Sequence, residues 1–365
     1  MNKEYTDDRL QGIFAAANSG EGFSGFYPQI FGNSDIVRRY LIKGGPGTGK
    51  SSFMRRVADA AESRGYAVEY YRCSSDHTSL DAIVIDKHIA LIDATAPHVL
   101  EPELAGAKDE ILNLGEFWDS RALFKSRERI SELSLKKSEA YKGAYRFLAA
   151  ALSIDKRSRE LSGRFVDYAK LERAVARIMA KLPGGSGYEQ SIGICNSVGM
   201  KGRIRLSYYE NTAERIYVLQ DHMCTAHLFL ANIVNESVKK GNRIRVSFDP
   251  VNLSCLDAVY FEDTRTAFIV CDERMLGDNA DKIVGRVNMK RFIHPKGAHK
   301  EQKQELRSDR RTYDGLLDSA VNCLRKAGEA HFELEEIYGS CMDFEAENRF
   351  CQSFILQICD ELEEL

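Results

Sequence analysis

Gly44-Gly45-Pro46-Gly47-Thr48-Gly49-Lys50-Ser51 restricts this chain more than any other stretch, because it demands an unusual backbone between two regular elements. Its spacing, G-x-x-x-x-G-K-[ST], is that of a loop that cradles phosphate. Tyr40-Leu41-Ile42-Lys43 before it reads as a short buried strand. After it, Phe53, Met54, Val57, Ala60 and Ala61 recur at helical spacing until Gly65 closes the segment. Glycines let successive backbone N–H groups turn inward without a Cβ clash, and the start of a helix adds positive dipole character. Gly44, Gly45, Pro46, Gly47, Thr48, Gly49 and Ser52 are therefore expected around the phosphates. Lys50 is expected on the β- and γ-phosphates as a mobile point charge, and Ser51 is expected to offer its hydroxyl to Mg²⁺.

The rest of the composition narrows the classes. The 365 residues suffice for two or three domains with real cores. Lys and Arg number 51 against 54 Asp and Glu, a net charge of −3, which gives no electrostatic reason to expect nucleic acid or an anionic membrane as a partner. Nine cysteines without a C-x-x-C pair suit a reducing compartment. No apolar run reaches the ~20 residues of a membrane helix, and the N-terminus is charged rather than signal-like. A cytoplasmic protein is expected.

Along the chain, Ile13 to Ala17, Ala67 to Tyr71 and Ile89 to Asp93 read as strands, with Leu80 to Asp86 short and apolar between the last two. From about residue 116 to 182 the sequence turns to charged helix formers. Pro183 to Gly187 reads as a linker. Then the pattern repeats. Ser79-Leu80-Asp81-Ala82 returns as Cys255-Leu256-Asp257-Ala258, a shift of 176. Arg64-Gly65 matches Lys240-Gly241, and Gly163, Asp167 and Tyr168 match Gly339, Asp343 and Phe344. Ile130, Leu133, Ala140, Ala144, Phe147, Ala151 and Ile154 step by threes and fours with Lys137 as a polar interruption. Leu306, Leu316, Ala320, Cys323, Ala327 and Ala330 hold the matching places, with Asp309 where the first copy has Leu133. We read a tandem duplication: residues 1–182, a linker at 183–187, and 188–365, whose helical part begins near 292. Each helical part is expected as a hairpin packed along a seam, or else as cover for its sheet.

In the second copy, at a shift of 177, the loop falls on Asp221 to Leu228. Asp221 puts an anion in place of Gly44, His227 stands for Lys50, and Leu228 lacks the oxygen of Ser51. His222, Cys224 and His227 could suggest a metal site, but a loop that has lost its phosphate chemistry explains the spacing better. One nucleotide per chain is expected, at the first copy.

Asp93, after four apolar residues, is the preferred acid for the water shell of Mg²⁺, with Asp86 its rival in the same pattern. Asp76 follows the second strand, at the edge where open α/β sheets place ligands, and is a candidate base. His98 is read as a structural loop residue and is left unassigned. Lys43 to Ser52, Cys73-Ser74-Ser75-Asp76 and Asp93-Ala94-Thr95-Ala96-Pro97-His98 resemble the P-loop NTPase superfamily, and within it a group of bacterial tandem P-loop ATP-binding proteins. The resemblance implies an α/β fold of two P-loop NTPase-like repeats, the second degenerate, each a mostly parallel sheet with helices plus a long helical hairpin. It also implies ATP as ligand. The N-K-x-D signature of guanine recognition is missing, and Ala94 stands where many such ATPases carry a glutamate. The leading expectation is a Mg²⁺-dependent ATPase working as an internal pseudo-dimer, its intact site rearranging against a nucleotide-free partner copy. A phosphotransferase acting on a small molecule or nucleoside, with Arg121 to Lys137 as lid cations, is the alternative. A non-hydrolysing ATP-binding scaffold is the third reading.

Overall fold

A computed structural model describes residues 5–6, 11–294 and 300–365. The fold is α/β, with two six-stranded mixed sheets. In chain order the principal elements of the first stretch are β1 (Arg38–Lys43), α1 (Lys50–Ser63), β2 (Val68–Arg72), β3 (Leu80–Ile85), β4 (Ile89–Asp93), β5 (Asp109–Asn113), α2 (Arg127–Gly163) and α3 (Tyr168–Met179). The second stretch repeats them as β6 (Glu189–Ile192), β7 (Arg215–Gln220), α4 (Ala226–Lys240), β8 (Arg243–Phe248), β9 (Leu256–Phe261), β10 (Thr266–Val270), β11 (Ile283–Asn288), α5 (Lys300–Gly339) and α6 (Phe344–Glu364). The strand expected over Ile13 to Ala17 is split into Ile13–Phe14 and Ala16–Ser19. Among the described residues no helix is long and apolar enough to cross a membrane.

One compact unit consists of Gly25–Ala144, Gly199–Lys201 and Asn322–Leu365. Five of the six strands of its sheet belong to this unit and run in the order β2-β3-β4-β1-β5. β1 pairs in parallel with both β4 and β5, whereas β3 runs antiparallel to β2 and β4. The reversal follows from short connections: a tight turn at Asp86 to His88 joins β3 to β4, and two or three residues can link only antiparallel neighbours. One face of the sheet is closed by α1, whose Phe53, Met54, Val57 and Ala61 are buried with Tyr40, Ile42 and Leu91. The same core takes Cys351, Phe354, Ile358 and Leu362 from α6, an apolar stripe at helical spacing. Phe354 sits edge-on to Tyr40, with ring centroids 4.8 Å apart.

The other unit consists of the described residues up to Ser24, Tyr145–Val198 and Gly202–Val321. Its sheet, β6-β8-β9-β10-β7-β11, repeats the same directions, with β9 reversed. Here α4 and α3 close the core, where Leu171, Val175 and Met179 meet Leu219, Phe229 and Phe268. The helix that seals each sheet thus comes from the other stretch of chain. A cut at 182/188 marks the sequence repeat and not the edge of a compact unit. Pro183 to Gly187 is also no free tether: Gly185 N donates to Lys240 O at 3.0 Å, Gly187 N to Gly241 O at 3.1 Å, and Asn242 Nδ2 to Pro183 O at 3.1 Å.

The expected hairpin is corrected in the same way. In the first unit Leu133 of α2 packs with Ala330 and Leu334 of α5. In the second, Ser158 Oγ donates to Asp309 Oδ2 at 3.1 Å, and Arg157 pairs with Asp309 and Glu305. The seam of α2 therefore lies against α5, because α3 is used on a sheet. Asp309, the acid in place of Leu133, is buried but satisfied by Arg157 and Ser158.

Candidate functional site

β1 is paired on both sides, by β4 and β5, and its Tyr40, Leu41 and Ile42 are fully buried, so the loop that follows it starts from a rigid base. Gly47 has φ +70° and Gly49, the N-cap of α1, has φ +80°, conformations that L side chains resist. Gly47 is constrained a second time: a Cβ there would lie 2.3 Å from the Glu335 carbonyl oxygen of α5. Thr48 Oγ1 donates to Gly45 O at 2.9 Å and braces the turn. The Lys50 ammonium folds back over the loop, donating to Gly44 O at 3.1 Å and Gly45 O at 2.9 Å. It also lies 3.6 Å from Asp93 Oδ2. Ser51 Oγ accepts from Leu80 N at 3.0 Å, which leaves its proton and a second lone pair free. Ser52 is exposed on the first turn of α1, and Pro46 is half-buried in the loop.

Strand direction separates the two rival acids. Asp93 ends β4, parallel to β1, and so emerges at the edge that carries the loop. Asp86 ends β3, which runs the other way, and sits in the turn beside the start of β1 with its N–H on Ala67 O. Asp93 Oδ1 accepts from the N–H and hydroxyl of Thr95, leaving Oδ2 toward Lys50. Asp76 is engaged in its own turn. Its Oδ1 accepts from Thr78 N at 3.2 Å and Thr78 Oγ1 at 2.7 Å, and Lys201 stands 3.5 Å away.

A buried polar group next to the site was not anticipated. Tyr27 OH donates to Asp81 Oδ2 at 3.1 Å and lies 2.8 Å from His98 Nδ1, whose other nitrogen is 3.6 Å from Asp81. Burial pushes the Asp81 carboxyl above the usual range; His98 opposes the shift, and the neighbouring charge of Asp93 adds to it. His98 is thus a structural loop residue, as expected, and the buried partner of Asp81. Tyr27, Asp81 and His98 are far apart in sequence, and only the recurrence of Asp81 as Asp257 singled one of them out. Asp257 is likewise held above its ordinary value by burial. The buried acid is therefore common to both copies, as a feature of the fold.

The residues fit a hydrated Mg²⁺ brought in with a polyphosphate. Among the described residues no group of three or more His, Cys, Asp or Glu could hold a metal alone, but Mg²⁺ keeps several waters and asks little of the protein. Ser51 Oγ and Asp93 Oδ2 are the oxygens that would meet it or its waters. The roof of the loop is aromatic. Tyr338 and Trp118 lie 3.1 Å and 3.4 Å from where a Cβ on Gly45 would be, and the buried Trp118 indole N–H has no hydrogen-bond partner.

The second copy has filled its own loop. Asp221 Oδ1 accepts from Met223 N at 2.9 Å and Oδ2 from Ala226 N at 2.7 Å, so a carboxylate of the chain occupies the amides at the start of α4. Cys224, not glycine, sits at φ +54°, and the Thr225 hydroxyl is buried without a partner. Arg159 Nη1 donates to His227 Nδ1 at 3.0 Å, and burial followed by that guanidinium lowers His227 to about 4. A cavity of about 500 Å³ opens beside this loop, lined by Arg159, Arg310 and Tyr313 among others. Compared with known proteins, the chain matches no family model, no curated protein and no solved structure.

Proposed function

We propose that this chain binds ATP at Gly44 to Ser51 and is a Mg²⁺-dependent ATPase with one working site. The observation that carries the reading is Lys50: its ammonium rests on two loop carbonyls, 3.6 Å from Asp93, in a loop with two left-handed glycines. An arriving polyphosphate offers that ammonium far better acceptors than backbone carbonyls, because hydrogen bonds between charged groups are about twice as strong. Bound Mg²⁺ would supply neutralisation of the β- and γ-phosphate oxygens. Lys50 and the loop amides hold the phosphates, and Ser51 Oγ and Asp93 Oδ2 would meet the metal or its waters. The same event bears on α5. The backbone of Glu335 lies against Gly47, so any shift of the loop on binding would press on that turn of α5.

Thermal unfolding with ATP or GTP, with and without Mg²⁺, tests the reading. ATP at 100 times its dissociation constant is expected to add about 2.7 kcal/mol, GTP much less, and Lys50→Ala is expected to abolish the gain. A melting curve blind to ATP would overturn the proposal. Phosphate release then separates an ATPase from a scaffold, and labelled ATP with candidate acceptors separates it from a phosphotransferase.

A further inference from the structure

We propose that Lys137, from α2, is a second phosphate-binding cation of this site, supplied by the same chain to the terminal phosphoryl group of the bound triphosphate. The proposal rests on reading Gly44 to Ser51 as the triphosphate site. Helix register places the residue. Leu133, one turn earlier, is buried against Ala330 and Leu334 of α5, the helix whose Glu335 lies on Gly47. Tyr141, one turn later, donates its hydroxyl to Ser75 Oγ at 3.1 Å, in the turn at the carboxyl end of β2. Positions four apart share one helix face, so Lys137 stands between these two anchors. Ser75 follows β2, which runs the same way as β1 and β4, so the turn that Tyr141 reaches lies at the sheet edge where β1 ends in the loop and β4 ends in Asp93.

The surroundings of the ammonium explain its presence. Lys137 is half-buried, and no hydrogen bond or ion pair holds it among the described residues. Burial lowers its pKa, the Lys50 charge lowers it further, and Glu335 offsets part of the shift. Two like charges that act on one another in a partly buried place are unfavourable, and an incoming polyanion relieves them. Sequence agrees, since Lys137 breaks an otherwise apolar seam. The second copy provides an internal control. Its equivalent position is Tyr313, which lines the cavity beside the Asp221 loop, so the cation is missing where the phosphate chemistry is missing. With Lys50 on one side of the terminal phosphoryl group and Lys137 on the other, charge that develops during transfer meets two fixed cations.

The test compares ATP with ADP in the full-length chain, read by calorimetry and by the emission of Trp118, the single tryptophan. Lys137→Met keeps the aliphatic stem and removes the charge; Lys137→Arg keeps a charge. Lys137→Met is expected to weaken ATP about 10- to 100-fold while leaving ADP within about twofold, with Lys137→Arg in between, and to slow phosphate release. Equal weakening of ATP and ADP, or no change in either, would overturn the assignment. If the unmodified chain binds neither nucleotide, the triphosphate reading itself is lost and this proposal goes with it.

Discussion

Arg159 in the second unit touches two groups that titrate in opposite senses. It is 3.4 Å from Asp249, which burial raises to about 6 against the pull of that guanidinium, and it helps hold His227 at about 4. A depressed histidine contributes stability above its ordinary value near 6.5 that is lost as pH falls toward 4. A raised carboxyl favours the fold below its ordinary value near 3.9, and that contribution is lost as pH rises through 6. Between about pH 4 and 6 the two slopes oppose. Asp249→Asn is therefore expected to make the melting temperature fall more steeply from pH 7 to pH 5 than in the unmodified chain. Parallel pH profiles would refute the pairing. The residue scale is also where the sequence was most and least legible. Gly47 and Gly49 could be read because a left-handed turn demands glycine, and Lys50 and Ser51 stood out because a phosphate, as proposed, would demand those residue types at that spacing. Lys137 left a trace as a misplaced charge. Tyr27, Asp81 and His98 left almost none, since their contact depends on bringing three distant segments together.

Elements were legible by kind and not by partner. β4 and the strand character of Leu80 to Ile85 follow from apolar runs, but two runs ending in aspartate look alike until strand direction is known, which is why Asp86 and Asp93 competed. Direction depends on which neighbour a strand finds, a property of the sheet. The helices show the same limit. α3 and α6 both begin at an aspartate N-cap, Asp167 accepting from Lys170 N and Asp343 from Ala346 N, and both carry an apolar stripe. Nothing in either stripe says which sheet it will cover. α6 proves indispensable to the first sheet through Phe354, 3 % exposed and packed on Tyr40 and Phe53. Phe354→Ala is expected to cost about 3–5 kcal/mol of unfolding free energy, as deletion of a core aromatic does. It should also weaken ATP binding, although the residue lies some 300 positions after the loop. Denaturant titration checks the first effect, and a loss under about 1 kcal/mol, typical of a surface site, would show that α6 is dispensable.

For the whole molecule, the shift of 176 announced two copies and the structure repeats the strand order in both sheets, yet the duplication in sequence does not delimit the compact units. Fragments 1–182 and 188–365 make the difference measurable. The first contains the entire loop but lacks α5 and α6, so it is expected to show little cooperative unfolding and no ATP binding, and mixing the two is expected to restore both. Full-chain affinity in fragment 1–182 alone would refute this. The interchange of α3 and α6 also reaches back in time. A lone ancestral copy would have had a bare sheet and an orphaned last helix, and two such polypeptides could only have met that need by lending helices to each other. Joining two copies in one polypeptide makes such a loan permanent. One of the two loops is left holding a carboxylate of its own, that of Asp221, against the amides at the start of its helix.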